Sequence, residues 1–411
     1  MSEPNLTMVK PRADRVLLTA EYQEDKQNEI RLAARETGCS ALLVFQVGNI
    51  AYVSGLILPY AEQYAMPRAA AVLPVEPGGQ SILILPPDWS QLPNQQNLNC
   101  RTIINRAQNG LPPVGLLKTL AEQLVELGLG KSKIGLDIDY CPESLVENLS
   151  QVLPDVEWIN ICEILNRMRM IKTDAEVDML EEAVRQTDRA LVSAINHSEG
   201  CALDQISYSL WEFTERIRVH IGEFGGSAAG HLTTVQGKDM RDYSRAPFGN
   251  FISGNPVRTE ATNHHRGYWA DMCRTLFIGQ PDSEFARAYR DNIFLKNKAL
   301  QALRTGVSCH QVFSEVVRAS QESGIDLWQE PGIGHGVGLA EREAPYLCPS
   351  DQTILKPGMV LALAVYTFGP QRELICSKDT YVITESGTRL LSWYRNWDML
   401  YSMNGNTARH G

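Results

Sequence analysis

The sequence predicts an α/β amino-terminal domain followed by an α+β carboxy-terminal domain. Three observations predict this. A chain of 411 residues is long for one core and suggests two domains, at roughly 100–200 residues each. Strand and helix patterns alternate through about the first 160 residues, the signature of an α/β layer. Beyond Ile164 the pattern changes to long amphipathic helices with strand-like pieces between them, which places helices outside an antiparallel sheet. The boundary falls at 165/166, giving domains 1–165 and 166–411.

The elements follow in order. Glu24 to Thr37 has helical spacing, with Ile30, Leu32 and Ala33–Ala34 as its apolar points and Gly38 as its stop. Ala41-Leu-Leu-Val-Phe45 reads as a buried strand. Asn49 to Gly55 is a second short element ending in a turn. Ala69 to Pro74 and Ser81 to Leu85 read as strands joined by Glu76-Pro-Gly-Gly79. Leu116 to Leu127 is a helix closed by Gly128, Ile134 to Ile138 a strand, and Ser144 to Val152 a helix. Thr173 and Glu176 form a capping-box pattern that starts a long helix to about Ile195. Further helices are expected at Ile206–Val219, Phe285–Gly306 and His310–Ser323. The strand-like pieces are His231–Val235, Pro256–Ala261, Tyr268–Ile278, Met359–Phe368 and Thr380–Thr384.

Composition narrows the function. A net charge of −10 argues against a nucleic-acid partner, which needs clustered Lys and Arg. No apolar run reaches the roughly 20 residues of a membrane span. Met1 to Arg15 carries no signal-peptide core. The nine cysteines are scattered without a CxxC pair, so neither a zinc knuckle nor a disulfide framework is indicated. A reducing cytoplasm is the expected location.

The stretch richest in chemistry is Pro331-Gly-Ile-Gly-His335-Gly-Val-Gly-Leu-Ala-Glu-Arg342-Glu343-Ala-Pro-Tyr346. Glycines on both sides of His335 allow close approach by backbone or substrate and leave its ring free to face a cavity. Glu260 and Asp271 fall near the ends of consecutive strands. They either cap turns and bind surface arginines, or line a site with His335 and Glu343, where neighbouring anions raise a carboxylate's pKa unless a cation intervenes. His264 and His265 lie on the hairpin between the two carboxylates, where solvent exposure is the ordinary expectation. Cys273 reads as a buried, inert thiol.

Five motifs carry a family resemblance: Lys172-Thr-Asp-Ala-Glu-Val, Asp271-Met-Cys-Arg-Thr-Leu-Phe, Gly334-His-Gly-Val-Gly-Leu, Leu355-Lys-Pro-Gly-Met-Val and Asp379-Thr-Tyr-Val-Ile-Thr-Glu-Ser-Gly387. In this order they resemble the pita-bread family of methionine and Xaa-Pro aminopeptidases, prolidases, creatinase and ectoine hydrolase. The likeness spans about Ile164 to Leu391, and the first half is similar to the family's accessory domain. The resemblance implies a pita-bread carboxy-terminal domain, a creatinase-like accessory domain and a homodimer in which each accessory domain reaches the partner's site.

The departures from the pattern matter most. The family's metallopeptidases hold two metal ions with Asp, Asp, His, Glu and Glu. Those positions fall here on Glu260, Asp271, His335, Ala364 and Lys378. An alanine supplies no ligand and an ammonium is repelled by a dication. The expectation is therefore no dinuclear metal site and no cofactor; a single ion through Asp271, His335 and Asp379 is the remaining metal option. Lys378 either projects where the metal sat and neutralises Asp271 and Glu260, or snorkels to solvent.

The resemblance then points toward the metal-free creatinase and ectoine hydrolase branch. Arg342 inherits substrate-carboxylate binding from the similar Arg-Glu-Ala stretch of creatinase, since its planar fork suits that partner. Arg68 is the counterpart of an arginine donated by the neighbouring subunit. Creatinase's proton-shuttling His falls on Tyr243 or Ser244, so Tyr243 joins the substrate-binding set. The expected function is metal-independent hydrolysis of a non-peptide C–N bond in a small carboxylate-bearing compound. His335 or Glu260 would handle the proton, Asp271 would orient it, and Lys378 would steady charge. A lyase or decarboxylase, a non-catalytic binding module and an Xaa-Pro metallopeptidase are the alternatives.

Overall fold

The structure, a computed structural model, describes residues 20–58, 67–95, 98, 100–105, 114–200, 209–227, 230–241, 248–392 and 396–403. The amino-terminal half is built on six strands: β1 (Ala41–Val44), β2 (Ala70–Pro74), β3 (Ile82–Leu85), β4 (Arg101–Ile104), β5 (Lys133–Leu136) and β6 (Glu157–Asn160). Their order is β4-β3-β2-β1-β5-β6. Pairs β1–β2 and β2–β3 are antiparallel, and the other three pairs are parallel. The central strands are continuous apolar runs because both faces are covered. Alternate residues serve opposite cores: Leu42, Val44, Leu73 and Leu83 join one cluster, while Leu43, Val72, Ile82 and Ile84 join the other.

Two expectations change here. The short element at Asn49–Gly55 is a helix, Val47–Ser54, closed by Gly55 in the left-handed region at φ 78°, where glycine carries no Cβ penalty. Strands β4 and β6 were not anticipated. Both are edge strands of mixed polarity with exposed and half-buried residues, so they lack the apolar run that marked their neighbours.

The carboxy-terminal half has the predicted α+β pita-bread architecture. Strands β7 (Leu232–Gln236), β8 (Pro256–His265), β9 (Tyr268–Ile278), β10 (Gly334–Gly336), β11 (Glu343–Tyr346), β12 (Val360–Leu363), β13 (Tyr366–Phe368), β14 (Leu374–Cys376), β15 (Asp379–Thr384), β16 (Gly387–Leu390) and β17 (Tyr401–Met403) follow in sequence. They form a β17-β9-β8-β7 sheet, a β11-β10-β12-β15-β16 sheet and a β13-β14 pair. Long helices at Asp174–Gly200, Leu210–Glu223, Ser283–Ala302 and Cys309–Ser323 pack outside. The Thr173 cap is reciprocal: Glu176 N–H donates to Thr173 Oγ1 at 3.3 Å, and Thr173 N–H donates to Glu176 Oε2 at 2.9 Å. The single strand expected over Met359–Phe368 breaks into β12 and β13, leaving Ala364 and Val365 between them.

Buried polar contacts join the two halves. Glu343 accepts from Lys172 Nζ at 2.8 Å and from Arg169, whose other arm reaches Asn49 Oδ1 at 2.7 Å. Lys26 meets Glu176 at 2.6 Å, and Tyr268 donates to the same carboxylate at 2.9 Å. The β8–β9 hairpin turns through Arg266 and Gly267, both at positive φ (49° and 83°), as a two-residue loop of the primed type requires. Its tip packs against the accessory domain, with Gly267 close to Ile57. The expectation that His264 and His265 face solvent is therefore corrected. His264 is buried against Trp269 with ring centroids 4.9 Å apart, and His265 is half-buried. Burial, with His265 beside it, pushes His264 down to about 4. No described helix is long and apolar enough to cross a membrane.

Candidate functional site

Three strands converge on one buried ionic cluster. Asp271 on β9 pairs in register with Thr262 of β8, two residues along from Glu260. Lys378 lies just before β15 and is stitched to β9 by a backbone bond from its N–H to Cys273 O at 2.9 Å. His335 on β10 pairs with Ala362 of β12. Asp271 stands 64 positions from His335 and 107 from Lys378 in the sequence, and the sheets bring them within hydrogen-bonding distance.

Asp271 is the hub. Lys378 Nζ donates to both its oxygens, at 2.7 and 2.9 Å, and His335 Nε2 lies 3.1 Å from Oδ2. Burial would push the Asp271 carboxyl up, but the Lys378 ammonium and His335 outweigh it and hold it well below the ordinary range. His335 Nδ1 faces Gly336 O at 3.0 Å, so both ring nitrogens meet acceptors, and a neutral ring can donate to only one. Lys378 also lies 3.7 Å from Glu260. Lys378 does not run to solvent; it is buried with its charge against two carboxylates.

Glu260 is closed in as well. Arg258, two residues earlier on the same face of β8, lies 3.1 Å from it and is itself fully buried. Tyr366 donates its hydroxyl to Glu260 at 3.4 Å. The i, i+2 spacing of Arg258 and Glu260 was legible in the sequence, but only after Pro256–His265 is known to be a strand. Glu343 sits on the β10–β11 hairpin, with its carboxylate turned to the domain seam and held down by Arg169 and Lys172 against the upward push of burial. Cys273 is buried beside Cys376, and burial raises its thiol far above the ordinary value.

The glycines allow the close backbone approach expected of them. A Cβ on Gly336 would lie 2.3 Å from Ala344 O, and one on Gly338 would lie 2.3 Å from the Glu343 carboxylate. They admit the protein's own strands and side chains, and His335 is buried. Arg342 is exposed, next to the half-buried Glu341. Arg68 belongs to the accessory domain, where it pairs with Asp88 at 2.7 Å and stacks on Trp89. Tyr243 and Ser244 lie outside the described residues.

The sequence pattern of "Metallopeptidase family M24" matches residues 178–385, about half of the chain, and that of the "Creatinase/Prolidase N-terminal domain" matches residues 27–171. The chain belongs to metallopeptidase family M24. Similar proteins include an Xaa-Pro dipeptidase of Pyrococcus furiosus, 25% identical over 61% of this chain and 70% of the relative. A probable dipeptidase PepE of Mycobacterium tuberculosis is 26% identical over 55% of this chain and 59% of its own length. Among solved structures, the X-Pro aminopeptidase of Thermotoga maritima superposes with a TM-score of 0.77 at 16% identity, covering 92% of this chain and all but 1% of that one (99%). At that identity the superposition speaks for the fold alone.

These relatives correct the expected function. Dipeptidases of the Xaa-Pro kind are peptide-bond enzymes of a metallopeptidase family, and they overturn the expectation of a metal-independent hydrolase of non-peptide C–N bonds. They lend nothing to a place in the creatinase and ectoine hydrolase branch.

The residues present do not, however, fit the family's pair of dications. Ala364 offers no donor atom, Lys378 puts an ammonium on Asp271, and Glu260 is paired with Arg258. The single-ion option fares no better, because Asp379 is taken by Arg274 at 2.6 Å and Lys296 at 2.5 Å. Among the described residues, no group of three or more His, Cys, Asp or Glu is placed to hold a metal ion.

Proposed function

We propose that this protein hydrolyses short peptides of the Xaa-Pro type, at the cluster formed by Asp271, His335, Lys378 and Glu260. The observation that carries this reading is the similarity to an Xaa-Pro dipeptidase over 61% of the chain and to a probable dipeptidase over 55% of it. Arg342, exposed at the rim, has the fork to take the peptide's carboxylate. Asp271 fixes the His335 ring, and the Lys378 ammonium supplies positive charge beside the reacting amide. A homodimer and a cytoplasmic location complete the proposal; eight described cysteines stand as free thiols, in keeping with a reducing compartment.

A second reading keeps the ligand and drops the cleavage. Ala364 and Lys378 in the ligand positions favour a module that binds Xaa-Pro peptides without hydrolysing them. Proline release from a panel of Xaa-Pro dipeptides, run beside matched non-prolyl dipeptides and guanidino acids, tests the first reading. Calorimetric binding without release selects the second, and neither binding nor release rejects both.

A further inference from the structure

We propose that Glu341 is the proton-transfer group of this site. The inference rests on the peptide reading above, and it concerns a residue that none of the five motifs assigns a role. Every other carboxylate of the cluster is committed. Asp271 is held by Lys378 and His335, Glu260 by Arg258 and Tyr366, and Glu343 by Lys172 and Arg169. Asp271 and Glu343, held low by their cations, have no proton to exchange near neutrality, and Glu260 has Arg258 and Tyr366 already placed on it.

Glu341 differs in each respect. It lies on the loop joining β10, which carries His335, to β11. It is half-buried, and among the described residues no hydrogen bond or ion pair holds its carboxylate. The charged groups that act on it come from every side of the cluster: Asp271 of β9, Lys378 before β15, Glu260 of β8 and Arg342 beside it on the loop. Burial, reinforced by the negative charge of Asp271, raises its carboxyl to about 7. A general base works best when its pKa lies near the operating pH.

The step balances without a co-reactant. The Glu341 carboxylate takes a proton from water as the water oxygen bonds to the peptide carbonyl carbon. When the C–N bond breaks, the same carboxyl returns that proton to the departing prolyl nitrogen. Carboxylic acid and secondary amine are the products, and Glu341 is restored.

Two measurements on full-length protein test this. Carbon-13 NMR of glutamate-labelled protein, with the resonance assigned through Glu341→Gln, follows the titration without reference to activity. A midpoint near 7 is expected, and one at the ordinary glutamate value of about 4.3 overturns the proposal. In a proline-release assay, Glu341→Gln is expected to lower kcat by about 10²-fold or more with KM little changed, and to erase the acidic limb of the pH profile. A Gln variant that keeps its rate or that limb overturns the proposal even if it titrates as expected. Should the wild type release no proline, the peptide reading fails and the proposal falls with it; a midpoint at about 4.3 in a protein that does release proline overturns the proposal alone.

Discussion

Two buried aspartates stand on neighbouring strands and have been given different work. Asp379 on β15 is clamped by Arg274 and Lys296, with Asp188 sharing the Arg274 guanidinium at 3.4 Å and Ser392 donating to Asp188. Burial alone would raise its pKa, yet those two cations hold it down at about 2. Asp271 on β9 is clamped by Lys378 and His335, and it too is held low. The partners differ in what lies beyond them. Around Asp379 the cations are shared with further acceptors, Asp188 and Asp398, and Ser377 and Ser392 complete the hydrogen bonding. Beside Asp271 lies Glu341, half-buried and without an ion-pair partner among the described residues. Paired charge in both places holds sheets together, and only the second place leaves a group free to titrate.

The comparison can be broken in four ways. The largest effect belongs to Arg274→Met, which removes the cation shared by Asp379 and Asp188 and leaves Lys296 on Asp379; breaking a buried ion pair from one side costs about 3–5 kcal/mol, read by urea unfolding. Lys378→Met should cost about 3 kcal/mol, at the lower end of that range, because His335 still faces Asp271. It should also lower proline release; unchanged folding with unchanged turnover would remove Lys378 from the account. Glu343→Gln weakens two charge-assisted bonds at the domain seam and should cost about 1.5–3 kcal/mol, with the loss appearing as earlier separation of the halves in limited proteolysis. Arg342→Ala is the mildest for the fold, within about 0.5 kcal/mol as for an ordinary surface change, yet it should weaken carboxylate-bearing ligands about tenfold, the scale of one charge-assisted bond.

Acid sharpens the same contrast. Asp271 and Asp379 have folded pKa values below their unfolded ones, so their contribution is complete above about pH 4 and drains as pH falls toward 2. Glu341 has the opposite sign: its raised value makes ionisation unfavourable in the folded protein, so stability declines as pH rises through about 7. Melting curves should therefore show Glu341→Gln more stable than wild type at pH 8 and level with it at about pH 4, below the ordinary glutamate value of about 4.3. Asp379→Asn should show a flatter loss than wild type between pH 4 and pH 2.

The fold was largely legible because its elements obey local rules. The apolar runs of β1 to β3, the Thr173–Glu176 box and the long amphipathic helices each announce themselves within a few residues. His335 and Asp271 were legible through their setting among glycines and before Arg274-Thr275. The ion pairing was not, because Arg169 and Glu343 stand 174 residues apart and no local pattern links them. Glu343 therefore read as a site group before its seam partners were visible. Glu341 was passed over beside two more conspicuous charges, since its interest lies in a missing partner, which only three dimensions reveal. The reaction class was misjudged for another reason: Ala364 and Lys378 speak about the metal site and say nothing of the bond to be cleaved.

The most direct test of the account is the rate of proline release from Xaa-Pro dipeptides at pH 7 by the wild type and by His335→Ala. The account predicts release by the wild type and its loss by about 10²-fold or more in the variant, with the fold retained. No release by the wild type, or release that is indifferent to His335, would contradict it.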